Sequence, residues 1–228
     1  MRRFADETAL IGALATEIVA SVEDAQRAGR PASLLVSGGR SPAALFDKLS
    51  ATEIDWSRIW VGLADERWVD PRSSDSNERL LREHLLRGSA AEANFVGLKN
   101  DAATPAAGAA ASWQSIKPLP RPFDYVVLGM GTDGHTASLF PKSPGLAKAL
   151  DGRQAPACVA MIAPVEPNAR LSLNLSALLN ARHVALLLIG SDKWNTYDQA
   201  RKAGPVEQMP VRALLRQQQV PVTVYWAP

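Results

Sequence analysis

The sequence predicts an α/β fold: a doubly wound, mostly parallel sheet with helices on both faces. Three observations carry that prediction. Short apolar runs such as Val184-Ala185-Leu186-Leu187-Leu188-Ile189 are continuous rather than alternating, which marks strands buried on both faces. Segments with helical spacing separate them. Glycine-rich turns follow directly on several runs, the position at which parallel sheets build their sites. The chain has 228 residues, enough for one large domain and short for two, so a single domain over residues 1–228 is expected.

The elements read in order as follows. Leu10, Leu14, Ile18 and Val22 recur at helical spacing, and Gly29-Arg30-Pro31 ends that helix. Ser33 to Val36 reads as a buried strand, followed by the turn Ser37-Gly38-Gly39-Arg40-Ser41-Pro42. A helix is expected from Pro42, which suits a first helical position because its missing N–H would be unpaired there, to about Leu49. Arg58 to Ala64 reads as the next strand and leads into Asp65-Glu66-Arg67-Trp68-Val69. Asp75 with Glu78 three residues on forms a capping-box signal for a helix to about Arg87. Residues 101–117 are alanine-rich and predict a surface helix; Pro118 to Pro122 is a connector. Tyr125 to Leu128, Ala157 to Ala163, His183 to Gly190 and Val222 to Trp226 read as strands, with a helix opening after Ser191.

Composition narrows the function. Net charge is only +2 and the basic residues are scattered, which argues against nucleic acid or an anionic membrane as partner. A single cysteine, Cys158, rules out an internal disulfide and fits a reducing compartment. No apolar run approaches the ~20 residues that span a bilayer. The start, Met1-Arg2-Arg3, continues into acids instead of a signal-peptide apolar core. A cytoplasmic, soluble protein is expected. One cysteine and three separated histidines offer no zinc spacing, and no calcium loop is present, so neither metal nor cofactor is expected. A serine-hydrolase elbow is also lacking.

Five short segments carry candidate chemistry. Ser37-Gly38-Gly39-Arg40-Ser41 lies between a strand and a helix start, where free N–H groups and the helix dipole favour an anion. It reads equally well as a tight turn without a ligand. Asp65-Glu66-Arg67 follows a strand at the same rim, and Arg67 suits bidentate contact with a substrate oxygen or phosphate. The most informative stretch runs from Tyr125-Val126-Val127-Leu128 into Gly129-Met130-Gly131-Thr132-Asp133-Gly134-His135. Asp133 can orient one nitrogen of His135 and leave the other to take a proton from water. His84 and His183 sit in settings that suit structural roles. Arg170 and Lys193, the latter in Gly190-Ser191-Asp192-Lys193 at another strand end, complete the set.

Taken together, these motifs resemble those of the 6-phosphogluconolactonase family. They are Ser37-Gly38-Gly39-Arg40-Ser41-Pro42, Asp65-Glu66-Arg67-Trp68-Val69 with Ser76-Asn77, Gly129 through Pro141, Arg170, and Gly190-x-x-Lys193. They occur in the family's order from about residue 30 to residue 195. The resemblance implies the Rossmann-like fold of the sugar-phosphate isomerases and deaminases. It implies a carboxylic ester hydrolase converting 6-phospho-D-glucono-1,5-lactone to 6-phosphogluconate, the second step of the oxidative pentose phosphate pathway. Catalysis would fall to His135, Asp133 and Arg67, and substrate or phosphate binding to Ser37, Gly38, Gly39, Arg40, Ser41, Asp65, Arg170 and Lys193. The partner would be a small sugar-phosphate lactone, the protein a monomer or weak homo-oligomer.

The resemblance also brings rivals. The related glucosamine-6-phosphate deaminase pattern continues its Asp-Gly-His motif to a glutamate five residues after the histidine. Here that position is Phe140. Arg67 stands where the deaminase pattern has tyrosine. Both departures favour the lactonase over a deaminase or isomerase. A non-catalytic sugar-phosphate binder, which could dispense with His135, is the third reading.

Overall fold

The computed structural model describes residues 1–228, the side chain of Arg40 excepted. In chain order the strands are β1 (Arg2–Arg3), β2 (Ala32–Val36), β3 (Ile59–Leu63), β4 (Asp65–Arg67), β5 (Asn94–Val96), β6 (Tyr125–Leu128), β7 (Cys158–Ile162), β8 (Ala169–Leu173), β9 (Val184–Ile189) and β10 (Val222–Ala227). The helices are α1 (Glu7–Arg27), α2 (Arg40–Ser50), α3 (Asn77–His84), α4 (Pro105–Ile116), α5 (Leu146–Leu150), α6 (Leu175–Leu178), α7 (Ser191–Arg201) and α8 (Val211–Arg216).

Seven strands form one sheet in the order β1-β10-β9-β6-β2-β3-β5, and every neighbouring pair is parallel. Helices cover both faces in a doubly wound arrangement. The continuous apolar runs are buried as a parallel sheet requires: β2 and β6 are buried throughout, and β9 in all but its last residue. From β2 the chain builds outward through β3 and β5, then returns to β6 and builds the other way through β9 and β10. The order therefore reverses between β2 and β6. Ligand crevices of open α/β sheets lie at such a switch point.

Sequence expectations and structure differ at several elements. The run at Ala157 to Ala163 forms β7, but outside the main sheet: it pairs antiparallel with β8, which pairs antiparallel with β4 in a second, three-stranded sheet. The helix expected from Pro42 begins at Arg40, so proline occupies the third helical position, where its missing N–H still costs no intrahelical bond. The cap of α3 is Ser76 and not Asp75; its hydroxyl accepts from Arg79 N at 3.2 Å. The alanine-rich helix α4 buries Gly108, Ser112 and Ile116 and packs on β7 and β8.

Two histidines take structural positions. His84 Nδ1 lies 3.0 Å from Asp47 Oδ1, and the His183 ring stacks on Tyr125 at 5.8 Å. Cys158 is buried, and burial pushes its thiol up to about 12. Among the described residues, no helix is long and apolar enough to cross a membrane.

Candidate active site

Four adjacent strands deliver the candidate residues to one rim. Lys193 follows β9, Asp133 and His135 follow β6, Ser37 to Ser41 follow β2, and Asp65 to Arg67 follow β3. A crevice of about 380 Å³ opens there, a volume suited to a small metabolite. Ser37, Gly38, Gly39, Ser41, Asp65 and Arg67 line it, as do His135, Arg170 and Lys193. Asp133 stands behind His135. The side chain of Arg40 lies outside what the structure describes.

The turn after β6 is folded around the acid–histidine pair. Gly131 N donates to His135 O at 2.9 Å, Gly134 N to Gly131 O at 3.0 Å, and Thr136 Oγ1 to Gly129 O at 2.9 Å. Within this closed turn His135 Nδ1 sits 2.6 Å from Asp133 Oδ1, and the same oxygen accepts from His135 N at 3.1 Å. A carboxylate acceptor places the proton on Nδ1 and leaves Nε2 as the basic nitrogen. A Cβ on Gly131 would lie 2.1 Å from His135 Nδ1 and 2.5 Å from Asp133 Oδ1, so only glycine admits the pair.

Burial alone would push the Asp133 carboxyl up, but the hydrogen bonds and charge of His135 outweigh it and hold the group below the usual carboxylate range. With the folded value lower than the unfolded one, Asp133 adds stability that is complete above the unfolded carboxylate pKa. That contribution disappears as pH falls through the folded value.

The opposite wall belongs to the small sheet. Arg67 and Arg170 are direct partners across β4 and β8, and both line the crevice. Like charges placed opposite each other destabilise a sheet. Arg170 is only 6% exposed, and its Nε has no hydrogen-bond partner. Desolvation, then the charge of Arg67, lowers its pKa. A desolvated Arg170 guanidinium beside the half-buried Arg67 forms a site for an anion. Arg67 is braced by donating from Nη1 to Asp75 O at 2.5 Å.

Neighbouring acids have other duties. Asp65 lies at the crevice, and its Oδ2 accepts from Ser138 Oγ at 2.6 Å. Glu66 is 1% exposed and caps α3 from outside: its carboxylate accepts from the N–H groups of Asn77 and Glu78 at 2.7 and 2.8 Å. It also accepts from Arg67 N at 2.7 Å and Ser76 Oγ at 3.1 Å. Burial raises the Glu66 pKa despite those N–H groups. Glu66 is thus a buried cap and not a surface charge.

The glycine turn is held by α3. Asn77 Nδ2 donates to Asp65 O at 2.9 Å, which fixes the amide's orientation, and a Cβ on Gly38 would fall 2.0 Å from Asn77 Oδ1. Helix α2 starts from this turn without a side-chain cap, which leaves its first N–H groups without a capping side chain. Ser37 Oγ is buried beside it with no partner. Lys193, in the first turn of α7, donates from Nζ to Met130 O at 2.7 Å and ties α7 to the turn that carries His135.

Sequence reasoning missed three parts of this wall. Asn77 and Ser138 lie inside quoted motifs but carry no local sign of their contacts. Val165 lines the crevice from the β7–β8 hairpin tip and is 66% exposed; an isolated valine between two prolines gives no such signal.

The profile of glucosamine-6-phosphate isomerases/6-phosphogluconolactonase matches residues 5–226. The chain belongs to this family. It is 46% identical to the 6-phosphogluconolactonase of Pseudomonas aeruginosa, across 94% of this chain and 89% of that one. It is 43% identical to the 6-phosphogluconolactonase of Rhizobium meliloti, across 100% and 98%. The crystal structure of a 6-phosphogluconolactonase from Shewanella baltica superposes with a TM-score of 0.95 at 46% identity, covering 100% of this chain and 97% of that chain. In this chain, His135, backed by Asp133, and the Arg67–Arg170 pair line one crevice.

Proposed function

We propose that this chain is a 6-phosphogluconolactonase, hydrolysing 6-phospho-D-glucono-1,5-lactone to 6-phosphogluconate. The observation that carries the reading is the Asp133–His135 hydrogen bond at the end of β6, set in a crevice with Arg67, Arg170 and Lys193. Full-length similarity to proteins named 6-phosphogluconolactonase supports it. Phe140 supports it against the deaminase, because an apolar ring stands where that pattern needs a carboxylate.

In this reading His135 Nε2 takes a proton from water as the water oxygen bonds to C1 of the lactone. Arg67 stabilises the negative charge that develops on the carbonyl oxygen. Collapse of the tetrahedral intermediate breaks the bond from C1 to the ring oxygen, and His135 returns the proton to that oxygen. The product acid ionises and releases one proton to solvent. The 6-phosphate is held by Arg170 and Lys193 with the Ser37–Ser41 turn. Asp65 accepts from a sugar hydroxyl. The reaction needs only water and these side chains, in a single domain spanning the chain.

One paired assay tests the reading. Acid release from freshly made lactone, corrected for spontaneous hydrolysis, is compared with ammonia release from glucosamine 6-phosphate. Acid without ammonia is expected. Ammonia release would assign the deaminase, and neither product would leave a sugar-phosphate binder.

Gly131→Ala supplies a second check, because its Cβ would occupy the space of His135 Nδ1. Misplacing a catalytic group by about 1 Å costs up to ~100-fold in rate. The expected outcome is a fall in kcat of about 10- to 100-fold in a variant whose melting temperature stays near that of the parent.

A further inference from the structure

The ring that stands in place of a carboxylate also touches the base. The Phe140 and His135 ring centroids are 4.2 Å apart with the planes inclined by 41°. Phe140 is itself fixed: it is 7% exposed and lines the same crevice. The chain reaches this contact through a tight reversal. Ala137 adopts a left-handed φ of 47°, Thr136 and Leu139 form an isolated antiparallel bridge, and Leu139 N donates to Thr136 O at 3.0 Å. A non-glycine residue in that region is held there only by its surroundings, and here the reversal returns Phe140 to the imidazole.

We propose that Phe140 is a positioning residue for His135, an inference that rests on the lactonase reading above. Asp133 holds the imidazole at one atom, Nδ1, and a ring held at one point can still tilt. The Phe140 face supplies the second constraint, so that Nε2 keeps one direction into the crevice. The ring also faces the other side of the site, where Arg170 Cζ lies over it 6.0 Å from its centroid. An apolar spacer there keeps the imidazole, cationic after it takes the water proton, from sharing a carboxylate with the guanidinium. The same position thus withholds an acid and orients the base.

The test compares Phe140→Leu, which keeps most of the volume and loses the ring, with Phe140→Tyr, which keeps the ring. For Phe140→Leu, kcat should fall about tenfold or more while KM stays within about threefold, the signature of a group acting only on the reacting geometry. Phe140→Tyr should hold kcat within about threefold of the parent. Unchanged kcat in Phe140→Leu, or a loss confined to KM, would overturn the proposal and make Phe140 a wall of the binding crevice. Should Phe140→Leu fail to fold, Phe140→Met replaces it with the same two outcomes.

Imidazole ¹H–¹³C spectra provide a readout independent of turnover, since the chain has three histidines. In the parent, His135 should show one resonance set displaced by the aromatic ring current, and Phe140→Leu should abolish that displacement. Identical spectra in parent and variant would overturn the proposal. A parent chain that fails to turn over the lactone while showing the displaced resonance would defeat the lactonase reading, not the contact.

Discussion

His135→Ala lowers kcat for lactone hydrolysis at least ~100-fold, the scale of a general base, and leaves the fold intact. The first half follows from geometry. Asp133 occupies Nδ1 at 2.6 Å, and the nitrogen left to accept a proton belongs to a side chain lining the crevice. Alanine removes the base but leaves the binding cations, so the loss should fall on kcat more than on KM. The second half follows from where the residue sits. His135 is partly exposed at a strand-end turn whose closing bonds are made by backbone and by Thr136, none of which needs the imidazole. Rates corrected for spontaneous hydrolysis, together with a thermal melt, check both halves. Near-normal turnover would remove His135 from the mechanism.

Arg170→Met weakens substrate binding and does not destabilise the free protein. Hydrogen bonds to charged groups contribute roughly 1.5–3 kcal/mol each, so losing the guanidinium from a phosphate should cost about 3 kcal/mol. That is about 100-fold in kcat/KM, expressed mainly as a higher KM. Stability should move the other way. Arg170 is buried, has an unpartnered Nε, and stands directly opposite Arg67. Methionine keeps the apolar stem's packing and relieves desolvation and like-charge repulsion together. The melting temperature without ligand should therefore equal or exceed the parent's. Adding 6-phosphogluconate should raise it in the parent and much less in the variant, because a ligand stabilises only the state that binds it. A large drop in unliganded stability would show that Arg170 serves the fold rather than an anion.

Five of the seven strands of the main sheet were legible because they declare themselves locally; β1 and β5, two and three residues long at its edges, were not. Val184 to Ile189 and Tyr125 to Leu128 are apolar at every position, as burial on both faces demands. The small sheet was not. Asp65-Glu66-Arg67 has no strand pattern, and its pairing partner Ala169–Leu173 lies about a hundred residues away, so only tertiary structure makes it a strand.

Site residues divide along the same line. Gly131, Asp133 and His135 are close in sequence, and their spacing already suggests a turn that holds an acid beside a base. That Arg67 faces Arg170, that Ser138 donates to Asp65, and that Glu66 is a buried cap are long-range facts without a local signature. Phe140 shows both cases at once: in the sequence it is a missing carboxylate, and in the structure a ring against the base.

The central claim is that one crevice, at the switch point between β2 and β6, holds the phosphate and at the same time presents the lactone carbonyl to His135. A crystal structure with 6-phosphogluconate bound tests this most directly. The account predicts the phosphate on Arg170, Lys193 and the Ser37–Ser41 turn, with the C1 carboxylate within hydrogen-bond reach, about 3 Å, of His135 Nε2 and Arg67. A product bound in the reverse sense, or with C1 far from His135, would contradict it.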